Sequence, residues 1–146
     1  MVTGPLRDDE NSVCPEVGDA FTARFDGEIS DVTDIRLAAR LFLGTLMRHD
    51  PSSSSESGSD ILLVVTELAS NAIQYAPGPF TLRMRRTFDG VHVTVADQNP
   101  APPTPRTCDP TRGAGGLGWH LIQALSRQVS VVPNQGGKEI HAFLPW

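Results

Sequence analysis

The chain has 146 residues, a length typical of one domain that buries a core without disulfides or a structural metal. Hydrophobic residues make up 39% and charged residues 20%, which indicates a globular rather than a disordered chain. The net charge of −5 argues against nucleic acid as a partner, because such proteins usually have a basic face. No apolar run reaches the ~20 residues of a membrane helix and the N-terminus is polar, so a cytoplasmic protein is expected.

The first part of the chain, residues 1–18, has no apolar periodicity and is expected to be a flexible arm. Residues 19–146 are then the domain. Alternating polar and apolar residues over 21–25 predict a strand. A helix capped by Ser30 or Asp31 is predicted next from an apolar stripe at helical spacing: Ile35, Ala39, Phe42 and Leu46. Pro51 and the four serines after it predict a loop.

A second helix is predicted to begin near Ser59 or Asp60 and to end before Pro77. Its buried stripe consists of Ile61, Val65, Leu68, Ala72 and Tyr75. Alternating apolar residues on both sides of Asp89-Gly90 predict a hairpin of two strands, because this dipeptide is typical of tight turns.

The last third of the chain combines a proline-rich stretch, a glycine-rich loop and another helix. Prolines from Pro100 to Pro110 exclude regular structure, and the loop that follows leads into a helix near Gly118. Two closing strands, around 129–132 and 140–144, are joined by a Gly136-Gly137 turn. The order predicts an α+β two-layer sandwich, with a mostly antiparallel sheet and three helices on one face.

The first candidate site is on the second predicted helix. Glu67 and Asn71 are four residues apart and therefore share a helix face, and Gln74 adds a third polar group. A carboxylate and an amide oxygen placed together suit a hard cation such as Mg²⁺. A solvated helix face is the alternative interpretation.

Two further candidates follow in the chain. Asp97 closes a strand, and its carboxylate is able to accept a hydrogen bond from an exocyclic amine such as that of adenine. The alternative is an aspartate that begins a turn. The run from Gly113 to Gly118 precedes a helix, where glycines and free N–H groups suit phosphate oxygens. A tight packing turn is its alternative.

The order of these motifs resembles the ATP-binding fold of gyrase, heat-shock, mismatch-repair and histidine-kinase ATPases, a Bergerat-type fold. Within it, residues 67–76 (ELASNAIQYA), 115–122 (GGLGWHLI) and 136–140 (GGKEI) resemble conserved boxes of the anti-sigma regulatory factors, which are stand-alone serine/threonine kinases. The resemblance covers roughly residues 18–146. It implies a mixed, mostly antiparallel sheet with helices on one face.

The resemblance also implies roles for individual residues. Asn71 holds Mg²⁺, Glu67 is the base that orients the attacking hydroxyl, and Asp97 reads adenine. Beside these implied roles, Arg112 is a candidate contact to a phosphate, because arginine suits phosphate geometry, and Gln74 is a candidate nucleotide contact on the face of Glu67 and Asn71. The residues of the loop that closes on the phosphates are Gly113, Gly115, Gly116, Leu117 and Gly118.

The implied function is that of an ATP- and Mg²⁺-dependent protein kinase. Its implied partners are an anti-anti-sigma protein as substrate and a sigma factor that is sequestered, and the chain is expected to form a homodimer, through the edge of the strand around Phe21. Two departures from the family pattern favour an alternative, a non-catalytic ATP-binding module that acts by sequestration alone. Asp97 is followed by Gln98-Asn99-Pro100 rather than by glycines, and the region of the ATP lid is short and rich in proline.

Overall fold

The computed structural model of the protein describes residues 20–103 and 118–146. The described residues form β1 (Ala20–Phe25), α1 (Asp31–His49), α2 (Ser57–Tyr75), β2 (Phe80–Arg86), β3 (Gly90–Asp97), α3 (Gly118–Leu125), β4 (Gln128–Asn134) and β5 (Gly137–Pro145). The predicted arm, residues 1–18, lies outside them.

The five strands form one sheet in the order β1-β2-β3-β5-β4. All four strand pairs of the described residues are antiparallel. The predicted fold class, an α+β sandwich of a sheet and three helices, is confirmed. Strand β1 lies at one edge of the sheet, where its outer side is unpaired among the described residues.

One face of the sheet carries the core. In β3, Val91, Val93 and Val95 are fully buried, and alternation places them on the side that the helices cover. The predicted stripes of α1 and α2 are buried against this face, apart from the half-buried Tyr75. Helix α2 begins at Ser57 rather than at Ser59 or Asp60, because the N–H of Asp60 already donates to the carbonyl of Glu56 at 3.0 Å.

Ser30, one of the two residues predicted to cap α1, makes no capping hydrogen bond with its side chain. The Asp31 carboxylate instead accepts from the backbone N–H groups of Gly27 and Glu28, at 3.0 and 2.9 Å. Gly27 has a φ of 96°, which favours glycine. The turn before α1 is therefore held by an acidic residue of the first helical turn.

The loop between α1 and α2 is attached to the C-terminal residue. The indole Nε1 of Trp146 donates to the carbonyl of Asp50 at 2.6 Å, and the Ser53 hydroxyl donates to the carbonyl of Trp146 at 2.7 Å. Arg86 forms an ion pair with Asp50 at 2.6 Å, and its hydrogen bond lowers the pKa of that carboxyl. The serine-rich stretch is thus a loop, as predicted, with defined anchors.

The other face of the sheet carries polar residues, including a histidine pair. His92 Nε2 and His141 Nδ1 are hydrogen-bonded at 2.9 Å, and the buried hydroxyl of Thr94 lies 3.1 Å from His92 Nε2. Burial lowers the pKa of His92 to about 4, and the neighbouring charges of His141, Arg85 and Arg83 act in the same direction. The nearby Glu139 carboxylate opposes them. The folded protein therefore favours neutral His92.

This histidine pair predicts a loss of stability in mild acid. The unfolded chain protonates His92 near its ordinary pKa of 6.5, whereas the folded chain protonates it only near 4. The unfolded state therefore binds more protons between these values, so the stabilisation by neutral His92 is complete above 6.5 and is lost as the pH falls towards 4. Urea unfolding at about pH 7 and about pH 5 should show a larger loss for the wild type than for His92→Gln. Equal losses would contradict the assignment to His92.

Candidate functional site

Helix α2 carries the first group of predicted site residues. Its buried stripe faces the sheet and the other helices, and Glu67 and Asn71 lie half-buried at the edge of that stripe. Their spacing of four residues places both side chains on the same side of the helix. Gln74 is exposed. The structure therefore brings Glu67 and Asn71 together and leaves Gln74 at the surface.

The N-terminal residue of α3 lies against these two side chains. A Cβ atom added to Gly118 would overlap Oε1 of Glu67 and would lie 3.9 Å from Oδ1 of Asn71. The absence of a side chain at Gly118 thus leaves room for a carboxylate oxygen and an amide oxygen beside the start of a helix. A carboxylate is also stabilised at this end of a helix by the helix dipole.

The half-buried position of Glu67 changes the pKa of its carboxyl. Burial raises the pKa of its carboxyl above the ordinary value of 4.5. A carboxylate with a raised pKa is a stronger base, which suits a group that accepts a proton from a hydroxyl.

The oxygen atoms of Asn71 and Glu67 fit a magnesium ion. Among residues 20–103 and 118–146, no group of three or more His, Cys, Asp or Glu could hold a metal ion. Magnesium does not need such a group, because it keeps several waters and usually binds through one or two protein ligands and phosphate oxygens. Because Gly118 has no side chain, the Glu67 carboxylate oxygen lies close to the first residue of α3, with Asn71 Oδ1 nearby.

The second part of the site is at the end of β3. The Asp97 carboxylate forms an ion pair with Lys138 at the start of β5, with Nζ 3.1 Å from Oδ1 and 3.0 Å from Oδ2. The two residues are direct cross-strand partners, and both side chains are buried. Gly137 allows this approach, because a Cβ there would overlap the backbone carbonyl of Asp97.

The loop after β3 is held by the same pair. Asn99 donates its backbone N–H to Asp97 Oδ1 at 2.9 Å, and its carbonyl accepts from Lys138 Nζ at 2.8 Å. The Asn99 side chain donates to the carbonyl of Tyr75, the last residue of α2, at 2.9 Å. Polar contacts therefore replace the glycines expected after Asp97 and connect β3, β5 and α2.

Lys138 and Asn99 were not among the residues predicted for the site. A signal for Lys138 was present, since alternation places it on the same face of its strand as Ile140, Ala142 and Leu144, all of which are buried. A lysine at an inward position needs an anionic partner. The partner was not evident because β3 and β5 are far apart in the sequence.

The remaining predicted residues lie outside the described part of the chain. These are Arg112, Gly113, Gly115, Gly116 and Leu117. Of the glycine-rich loop, the structure describes only Gly118.

Comparisons with known proteins agree with this architecture. The sequence profile of the histidine kinase-like ATPase domain matches residues 29–143. No curated protein matches the chain. A crystal structure of the RsbU and RsbW domains of Rv1364c from Mycobacterium tuberculosis is similar, with a TM-score of 0.63 and 15% identity over 86% of this chain. The histidine kinase domain of the blue-light activated kinase EL346 from Erythrobacter litoralis has a TM-score of 0.46, with 17% identity over 76% of this chain.

The chain belongs to the histidine kinase-like ATPase domain family, because the family profile matches most of its length. An ATPase domain of this family implies ATP as its ligand. The chain corresponds to 31% of the Rv1364c structure and 60% of the Erythrobacter one, so it spans less than two thirds of either. The likeness to Rv1364c at this identity shows the fold. None of the described helices is long and apolar enough to cross a membrane.

The contact at Gly118 predicts a selective loss of function. In Gly118→Ala the new methyl group would displace the flexible carboxylate of Glu67 rather than backbone, so the fold should be retained. If Glu67 has the role of base that the motif resemblance implies, phosphoryl transfer should fall about tenfold or more, because small displacements of a catalytic group are costly. Thermal unfolding and activity measured together would check this.

Gly44→Ala provides a matched control. Gly44 is inside α1, and no atom lies within 4 Å of an added Cβ. This variant should keep full activity and gain up to about 1 kcal/mol of stability, since alanine favours a helix over glycine. Unchanged activity in Gly118→Ala would exclude a role for the position of Glu67.

Proposed function

We propose that this domain binds ATP with Mg²⁺ and transfers the terminal phosphoryl group to a serine or threonine of a partner protein. The observation that carries the proposal is the convergence of Glu67 and Asn71 on the first residue of α3. By the motif resemblance, the substrate is an anti-anti-sigma protein and the sequestered client is a sigma factor. Self-association through the outer edge of β1 belongs to the same proposal, as does a cytoplasmic location.

The spacing of the two polar groups supports a nucleotide that lies along α2. Glu67 is eight residues before Tyr75, the residue bound by the Asn99 side chain, which corresponds to about 12 Å along a helix. This is about the span of a nucleoside triphosphate from its base to its terminal phosphate. The base would lie near Asp97 and the phosphates near Asn71 and α3.

The protein groups have separate roles in the proposed transfer. Glu67 orients the hydroxyl of the substrate and accepts its proton, for which the raised pKa is suited. Asn71 is the proposed protein ligand of Mg²⁺, which would neutralise phosphate charge. The start of α3, including Gly118, provides backbone groups for phosphate oxygens. Transfer then depends mainly on positioning and charge neutralisation.

A second candidate function is supported by the ion pair at the base-binding end. Lys138 already occupies the Asp97 carboxylate, so the nucleotide is bound with less help from this residue than the motif resemblance implies. In this alternative the domain binds ATP without transferring phosphate and acts only by sequestering a protein partner.

Variants of Glu67 and Asn71 distinguish the two functions. Glu67→Gln keeps the size of the side chain but cannot accept a proton, so phosphoryl transfer should fall about 10²–10⁴-fold while the Kd for Mg-ATP changes little. Asn71→Ala should weaken Mg-ATP binding about tenfold or more, because it removes the proposed metal ligand. Calorimetry would measure binding, and labelled ATP with a purified anti-anti-sigma protein would measure transfer.

The pH profile of transfer adds a further readout. In the wild type, kcat/KM should fall as the pH decreases through a pKa above 4.5, because protonated Glu67 cannot act as a base. Glu67→Gln should lack this limb. A substrate with alanine at the acceptor serine is the control for specific labelling. Wild-type binding of ATP without transfer would favour the sequestering module, and no binding at millimolar ATP would refute both functions.

A further inference from the structure

The ion pair between Asp97 and Lys138 satisfies most of the polar groups that form it. Lys138 Nζ donates to Asp97 Oδ1 at 3.1 Å and to the carbonyl of Asn99 at 2.8 Å, and it lies 3.0 Å from Asp97 Oδ2 in the ion pair. Two of the three N–H donors of the ammonium group are therefore hydrogen-bonded. Asp97 Oδ1 also accepts from the backbone N–H of Asn99. Oδ1 thus accepts two hydrogen bonds, whereas Oδ2 takes part in the ion pair.

The pair is also shielded from solvent. The Lys138 side chain is 6% exposed and that of Asp97 is 3% exposed. An ion pair at this depth cannot be loosened by water, and a charge left without its partner there is strongly unfavourable. A ligand that competed for the carboxylate would leave the Lys138 ammonium with unmet hydrogen bonds.

These contacts bear on recognition of the base. An exocyclic amine donates a strong hydrogen bond to a free carboxylate, because charge-assisted bonds are about twice as strong as neutral ones. Once Lys138 neutralises the carboxylate and its Oδ1 already accepts two hydrogen bonds, much of this advantage is lost. A purine base that lacks the exocyclic amine should therefore bind only slightly more weakly than adenine.

We propose that Lys138 sets the base selectivity of the nucleotide site by occupying Asp97, so that purine nucleoside triphosphates are accepted with little discrimination for the exocyclic amine of adenine. This inference rests on the proposed nucleotide site and deepens it. Lys138 is a specificity-determining residue that acts through Asp97.

The matched ligand for the test is purine riboside triphosphate, which differs from ATP only in lacking the exocyclic amine. With Mg²⁺ present, calorimetry on the full chain should give wild-type Kd values for the two nucleotides within about threefold of each other. Lys138→Met keeps the length of the side chain and removes the charge and donors. In this variant the preference for ATP should rise about tenfold or more, because the amine becomes the partner of Asp97.

Two control variants separate selectivity from stability. Lys138→Arg retains a cation beside Asp97 and should keep the low selectivity of the wild type. Arg86→Met removes the ion pair with Asp50 in another part of the fold and should lower stability without changing the ratio of Kd values. If Lys138→Met does not fold, a preference for ATP of more than about tenfold in the wild type or in Lys138→Arg still overturns the proposal.

The outcomes are distinct. A wild-type preference for ATP of more than about tenfold, or a preference that Lys138→Met fails to raise, would overturn the role of Lys138 while leaving the nucleotide site intact. If neither nucleotide binds the wild type or Lys138→Met, the proposed function itself fails, and the inference with it. Binding of ATP by Lys138→Met but not by the wild type would contradict both the proposed function and the inference.

Discussion

The packing of α2 fixes the position of the polar groups that form the candidate site. Ile61, Val65 and Leu68 are at most 1% exposed, and burying such a side chain contributes about 1.5–3 kcal/mol each. Rotating or sliding the helix would expose several of them at once. Glu67 and Asn71 lie on the flank of the same helix. The free energy gained by burying the apolar residues is larger than the cost of partly desolvating these two polar side chains, so their position is fixed by the core. The apolar core thus keeps a carboxylate half-buried, with the raised pKa that follows.

A second constraint acts at the other end of α2, and it is polar. A buried ion pair is not by itself evidence of stability, since desolvation offsets much of the attraction. The pair between Asp97 and Lys138 has a structural consequence instead. It joins β3 to β5 in one register, and through Asn99 it connects both strands to the carbonyl of Tyr75. Side-chain contacts thus hold the loop after β3, where the family pattern expects glycines.

Much of the fold followed from local patterns. The apolar stripe of α2 and the alternation of β3 specify elements without reference to the rest of the chain, and the structure has both. The predicted hairpin is also present, although Gly90 is the first residue of β3 rather than part of the turn. The side of α2 that carries Glu67 and Asn71 followed in the same way. The predicted helix starts differ from those of the structure. Ser30 does not cap α1, and α2 begins at Ser57, because backbone and side-chain groups compete for the same turns.

The contacts between distant segments could not be predicted in this way. The ion pair of Lys138 depends on the pairing of β3 with β5, which places two strands side by side although α3 and β4 separate them in the chain. The pattern shows that Lys138 faces inward but not which acidic residue it meets. The same holds for Asn99 and Tyr75, and for the pair of His92 and His141 on the other face. Site chemistry that depends on sheet topology therefore requires the structure.

The electrostatics at the start of α3 explain why a cation belongs to the proposed reaction. The helix dipole stabilises one anion at this end, and the Glu67 carboxylate already lies beside Gly118. A phosphate brought to the same helix end adds further negative charge within a few ångströms, and burial strengthens the repulsion. Either a proton on Glu67 or a divalent cation between the two groups relieves it. Protonation would remove the base, whereas a cation held by Asn71 would keep Glu67 ionised and able to accept the proton of a hydroxyl. The juxtaposition of a carboxylate, an amide oxygen and a helix start therefore favours a metal-dependent form of the proposed chemistry.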